Sequence, residues 1–240
     1  MEYLLLALAG GGGLTWLWVR LRARRTRGRD RARALIQVRK LCDEDIAVLG
    51  EELRRLDTES TLHPLDDAAQ ADHQTAMDAY GSAQREVGRI TDAVEISKVT
   101  DTLSTGGYSL ACVQARVAGR PRPVLRVPCF FNPQHGPSVM DMAFTPSGHG
   151  TRKVPACAMD VARLRAGEKP DVRMVEVGGR RVPYFEAGAG FTPYGAGYFM
   201  GQIAAATLFV IPASWAGEGG LRQDGSAFNP QGVRSDGMFG

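Results

Sequence analysis

Lysine and cysteine are both scarce in this chain. Lys40, Lys98, Lys153 and Lys169 are the only lysines in 240 residues, so its basic character rests on arginine. The arginine- and alanine-heavy composition has the coding bias of a GC-rich bacterial genome. Cys42, Cys112, Cys129 and Cys157 are too few and too widely spaced for a disulfide-built fold of this length. There is no strict Cys-x-x-Cys pair. A phosphate-binding glycine loop is missing too: Gly188-Ala189-Gly190 opens one, but Pro193 stands where the third glycine should be. No basic residue precedes the first apolar stretch and no small-residue cleavage site precedes Arg20, which counts against a secretory signal peptide. What remains is a composition close to globular, 44% hydrophobic with a net charge of +3, enough for one medium domain or two small ones.

Tyr3 to Val19 carries no charge, and Leu4, Leu5, Leu6, Leu8, Leu14, Leu17 and Val19 make it apolar. Trp16 and Trp18 lie where aromatic rings rest among lipid headgroups. Arg20, Arg22, Arg24, Arg25, Arg27, Arg29, Arg31 and Arg33 follow in one run. These features predict a transmembrane anchor over 1–19 and a basic juxtamembrane segment over 20–33. Trp16, Trp18, Arg20, Arg22, Arg24 and Arg25 are the expected lipid contacts, with the bilayer preferred over nucleic acid as partner. The positive-inside rule puts the N-terminus outside and the bulk of a single-pass chain in the cytoplasm, at the cell membrane. Its cysteines would then be thiols or metal ligands.

From Arg31 to Leu56, Leu35, Val38, Cys42, Leu49, Leu53 and Leu56 recur on one helical face with Ile46 beside it. Pro64 forbids continuation, and Asp66-Asp67 offers a cap and an acidic first turn. A second helix is expected from Asp67 to Leu103, with Tyr80, Ala83, Val87, Ile90 and Val94 on its stripe and Gly106-Gly107 at its end. Tyr108 to Val117 reads as a further short helix closed by Gly119. Together 34–119 are expected to form a long antiparallel helical hairpin that packs on itself, on a second copy as a coiled coil, or on a protein partner. His63 and His73 read as exposed polar residues, Cys42 and Cys112 as small core hydrophobes.

At Arg120 prolines crowd in, and 120–186 reads as a small mixed cysteine-containing region. Val124–Val127, Met140–Phe144, Arg173–Val177 and Arg180–Phe185 are strand-like, and Gly178-Gly179 between the last two signals a tight hairpin. Asp160 to Ala166 reads as a short helix closed by Gly167. Cys129, His135, Cys157 and Asp160 are the candidate metal ligands: thiolate and imidazole suit zinc, and a carboxylate completes a tetrahedron. A turn followed by Cys-x-x-ligand at a helix start resembles a treble-clef arrangement, whose helix dipole favours thiolate. The competing reading is two buried cysteines with His135 in a turn. His149 is a substitute ligand or a loop residue. Catalytic readings are weak. Cys129 with His135 supplies a thiol and a base, and Ser138, His135 and Asp141 supply triad residue types, both without the surrounding pattern. No catalytic residues are assigned and no enzyme is expected.

Residues 187–216 are rich in glycine and aromatics. Tyr194 to Trp215, with small residues at Gly197, Gly201 and Ala205, is a candidate second membrane contact. The Gly-rich tail 217–240 is expected to be disordered. The fold class is therefore α+β.

Cys42-Asp43-Glu44-Asp45, Gly50-Glu51-Glu52-Leu53, Tyr108-Ser109-Leu110-Ala111-Cys112, Gly119-Arg120-Pro121, Cys129-Phe130-Phe131-Asn132-Pro133-Gln134-His135-Gly136-Pro137-Ser138 and Val154-Pro155-Ala156-Cys157 occur in this order. In this order of motifs, from about Cys42 to Tyr184, the chain resembles a family of uncharacterised membrane proteins of high-GC Gram-positive bacteria. The Cys-Phe-Phe-x-Pro-x-His stretch carries most of the likeness. The resemblance implies membrane attachment and a long helical region, and no established activity. It also implies that the second cysteine position can be a Cys-x-x-Cys pair, where this chain has Asp160. The leading expectation is a membrane-anchored, non-enzymatic scaffold or adaptor. A zinc-binding or redox-sensing module is the alternative, and a membrane-bound hydrolase the minor one.

Overall fold

A computed structural model describes residues 2–60, 65–146 and 150–200. Three helices form the first half: α1 (Glu2–Ser60), α2 (Asp67–Val87) and α3 (Ala93–Val117). Each later start is capped by an aspartate. Asp66 accepts from the Ala69 N–H at 2.9 Å. Asp92 accepts from Val94 and Glu95 while the Glu95 carboxylate returns to the Asp92 N–H, a complete capping box. That box ends the continuous second helix expected over 67–103. The chain instead breaks between Val87 and Ala93, and α3 runs unbroken through Gly106-Gly107. The helices therefore pack as hairpins in an up-down-up order.

Glycine at 106 is there for packing. A Cβ on Gly106 would lie 2.8 Å from the Ala79 Cβ and 3.1 Å from a Leu49 methyl, so the three helices meet at a point where only a hydrogen fits. The facing side of α2 is an alanine seam of Ala69, Ala76, Ala79 and Ala83. From α1 come Val38, Cys42, Ile46, Leu49, Leu53 and Leu56, all buried as their spacing predicts. Val94, placed on the apolar stripe by its spacing, is 63% exposed, because the break re-phases the helix.

The second half carries two antiparallel strand pairs. β1 (Met140–Phe144) pairs with β2 (Arg152–Ala156), and β3 (Met174–Val177) with β4 (Arg180–Pro183). Gly178 and Gly179 have φ of 60° and 78°, the left-handed turn that the sequence signals. Val124–Val127 is not a strand, and β2, the partner of β1, falls outside the strand-like runs of the sequence. Between the pairs lies α4 (Ala158–Arg165), ended at Gly167 with φ 74°. Phe130 and Phe131 are wholly buried, and Phe130 stacks on Phe185 at 4.7 Å between ring centroids.

α5 (Thr192–Met200) overturns part of the reading of the C-terminal segment. Tyr194, Tyr198 and Phe199 are buried against protein. A Cβ on Gly197 would fall 2.0 Å from the Thr100 Oγ1 and 2.1 Å from the Ser97 carbonyl, so this small residue serves the seating of α5 on α3. The remainder of the candidate second membrane contact and the tail 217–240 lie outside the described residues.

The membrane anchor is corrected as well. Among the described residues no helix is long and apolar enough to cross a membrane. The uncharged stretch is short, holds four consecutive glycines, and belongs to the same helix as the eight arginines that follow. A single-pass placement with the N-terminus outside and the bulk cytoplasmic loses its premise.

Candidate metal centre

The Cys129–His135 stretch is a loop closed by an antiparallel bridge between Pro128 and Pro137. Inside it the Cys129 N–H donates to the Gly136 carbonyl at 3.0 Å, and the Phe130 N–H donates to Pro155 of β2 at 2.8 Å. Asn132 caps a 3-10 turn, Pro133–His135, by accepting from the Gln134 N–H at 3.1 Å. This turn folds His135 back over Cys129. On the other side β2 delivers Cys157 to the N-cap of α4, where its sulfur accepts from the Asp160 N–H at 3.5 Å. Asp160, three residues on, points the same way.

The four side chains converge. Cys129 Sγ, His135 Nδ1, Cys157 Sγ and an Asp160 carboxylate oxygen all lie within 4.8 Å of one another, so the group could hold a metal ion. Asp160 Oδ2 is 3.2 Å from the Cys129 sulfur, 3.4 Å from the Cys157 sulfur and 3.0 Å from His135 Nδ1. The Cys157 sulfur is 3.6 Å from His135 Nδ1. A tetrahedral shell with zinc bond lengths of about 2.0–2.3 Å has edges of about 3.3–3.8 Å, so small side-chain adjustments make this donor set fit. Cys129 and Asp160 are fully buried and Cys157 is 5% exposed.

Outer contacts hold the donors in place. His135 Nε2 lies 3.3 Å from an Asp171 carboxylate oxygen and 3.3 Å from the Asn132 amide. A partner on the far ring nitrogen is what orients a metal-binding imidazole. The Asp171 N–H donates to the second Asp160 oxygen at 2.8 Å. The charges interlock. Hydrogen bonding from Cys129, helped by His135, overcomes burial and pulls the Cys157 thiol down to about 5. The same partnership, with burial, pushes the Cys129 thiol up. Burial opposes a charged His135, but Asp160 and Cys157 outweigh it and raise the imidazole to about 10. Burial also works against the Asp160 carboxylate, and His135 and the Asp171 N–H still hold it below its ordinary value.

Beside this centre lies a carboxylate whose role the helical pattern hides. Asp45 of α1 is 4% exposed. Its Oδ2 accepts from Tyr194 at 2.6 Å and Tyr198 at 2.9 Å; its Oδ1 accepts from Gln134 at 2.7 Å and Arg173 at 3.2 Å. Burial pushes its carboxyl up, against Arg173 and the two tyrosines. Gln134 adjoins His135, and Arg173 is two residues from Asp171, so the hub ties the metal loop to α1 and α5. One signal was available: Asp45 shares the apolar face of Cys42 and Leu49, where a carboxylate needs partners. Nothing in the sequence marks Asn132, Asp171 or Arg173.

Other predicted residues do not assemble into sites. Arg126 pairs with Asp141 and donates to Ser138 at 3.2 Å, while His135 faces the cysteines, so Ser138, His135 and Asp141 form no triad. Trp18 is 60% exposed on α1, with the Arg22 guanidinium 4.9 Å above its ring. Arg20 is exposed as well. The side chains of Trp16, Arg24 and Arg25, and residues His63 and His149, lie outside the described residues. His73 is not free in solvent, its Nε2 lying 3.0 Å from Asp57. All four cysteines are free thiols and buried.

Comparison with known proteins finds no family model, no curated protein and no solved structure that matches this chain.

Proposed function

We propose that the chain is a non-enzymatic binding module whose second half is stabilised by one structural zinc ion held by Cys129, His135, Cys157 and Asp160. The convergence of four donor atoms within 4.8 Å carries the reading. Two thiols, an imidazole and a carboxylate are a set that zinc accepts in tetrahedral geometry. Four protein donors complete that geometry and leave no position for a water, which favours a structural over a catalytic role. The region also needs such a staple, since its two-stranded ribbons are short and marginal alone. In this reading the helices are the scaffold and offer the partner surface.

Elemental analysis of untagged protein purified without chelator tests it. About one zinc per chain is expected, lost in Cys129→Ser and Cys157→Ser. No zinc, with both variants folded as stably as the parent, would leave the cysteines as core residues and sink the proposal.

The closeness of the two sulfurs supports a second reading, thiol redox sensing at the same residues. Hydrogen peroxide would accept two electrons as Cys129 and Cys157 join in a disulfide, with two protons leaving as part of two waters. Mass spectrometry of peroxide-treated protein would show the loss of two hydrogens in that peptide pair if the reading holds.

A further inference from the structure

α1 and α3 run parallel and do not close completely on each other. At one end of the trough between them stand Asp45 and Ser104; at the other the Gln114 amide donates to Glu52 at 3.1 Å. The helical rise makes the trough about 10–15 Å long. Its third wall is the metal loop, from Pro128 to Pro137, and it encloses about 370 Å³. That volume is within the range of small-molecule sites, about 300–1,000 Å³.

Three observations say what it would take. The walls are mainly apolar: Val48, Leu49, Leu103, Leu110 and Met159 line it, and Val48 and Met159 remain 38% and 58% exposed at the rim. The charged groups around it are already paired. Arg126 is on Asp141, Glu52 on Arg55 and Gln114, Asp45 has four donors, and His135 is on Asp160 and Asp171. An ionic ligand would find no free counter-charge. The third observation is the Ser104 hydroxyl. The residue is 7% exposed, and its hydroxyl oxygen is buried with no hydrogen-bond partner among the described residues. Neighbouring hydroxyls on α3 bond back to their own helix, Thr100 to the Ile96 carbonyl and Thr105 to the Asp101 carbonyl, both at 3.2 Å. Ser104 does not, and a buried hydroxyl without a partner destabilises a protein until something supplies one.

We propose that this trough binds a neutral, elongated, mainly apolar small molecule whose one polar end, a hydroxyl or carbonyl, is met by Ser104. The site lies beside the metal centre: the metal loop, His135 included, forms one of its walls.

Unbranched primary alcohols from 1-hexanol to 1-decanol are the probes, titrated calorimetrically into the full chain as purified. One saturable site per chain is expected, tightening about fourfold per added CH₂. Gly107 supplies the blocking variant: it lies in the trough wall, and a Cβ there meets nothing within 4 Å. Gly107→Leu should fill the space, keep the helical signal, hold or raise the melting temperature, and abolish binding. Ser104→Ala should weaken every alcohol by about three- to tenfold while leaving the increment per CH₂ unchanged. Unsaturable heats, or equal affinity of the parent and Gly107→Leu, would overturn the site. Unchanged affinity in Ser104→Ala would overturn the role of the hydroxyl. A rim that docks a protein instead would show itself as the absence of any saturable alcohol binding.

Discussion

At Asp171 a single exposed carboxylate does its work through another residue. It holds the far nitrogen of His135 and, through its backbone, an oxygen of Asp160. Asp171→Ala keeps the backbone contact and removes only the imidazole partner. It is expected to weaken zinc by about 10–100-fold in chelator competition, with the fold retained. Asp45 is a different case, since it is a buried charge with four donors. Asp45→Ala strands Gln134, two tyrosines and one contact of Arg173, and should cost about 3–5 kcal/mol in urea unfolding. Glu186 has no compensating partner: its Oε1 is buried without a hydrogen bond among the described residues, and burial raises its carboxyl from 4.5 to about 7. The folded state therefore binds the proton more tightly than the unfolded state does. Below pH 4.5 both forms are protonated and there is no penalty; stability then falls as the pH rises to about 7 and levels off above it. Glu186→Gln should remove this slope from the pH profile of the melting temperature.

At the scale of the element, two adjacent glycines in α3 have opposite meanings. Gly106 sits where three helices touch, and Gly107 faces open space. Gly106→Ala must push Ala79 and Leu49 apart and should cost about 1–3 kcal/mol. Gly107→Ala removes backbone entropy without a clash and should stabilise by about 0.5–1 kcal/mol. Thermal unfolding of the two variants side by side tests both. In the sequence the pair reads as a helix terminator, because glycine preference alone cannot tell a chain that ends from a chain that is approached closely. The start of α3 is marked by Asp92 and Glu95 at capping-box spacing, a signal local to the sequence.

At the scale of the molecule, the two halves are joined through α5 and the Asp45 hub. Metal removal should therefore be felt beyond the cysteine region. A chelator is expected to lower the melting temperature of the whole chain in one transition, because a metal that binds only the folded state adds its binding energy to folding. A chelator-insensitive helical transition beside a sensitive second one would mean that the hub does not couple the halves. Acidification acts in the same direction, since protons compete with the metal for the two thiolates and the imidazole.

What the sequence determined by itself were the local features. The buried stripe from Val38 to Leu56, the β1 limits, the Gly178-Gly179 turn and the short helix after Cys157 follow from spacing, turn chemistry and capping, which act over a few residues. The donor types at Cys129, His135, Cys157 and Asp160 were legible for the same reason. Only the tertiary structure decided that these four meet, that Arg152–Ala156 pairs with β1 while Val124–Val127 stays outside the ribbons, and that the tyrosines of α5 are buried on Asp45. Those outcomes depend on partners as many as 153 positions apart in the chain, Tyr198 and Asp45 among them, and no local pattern carries such distances.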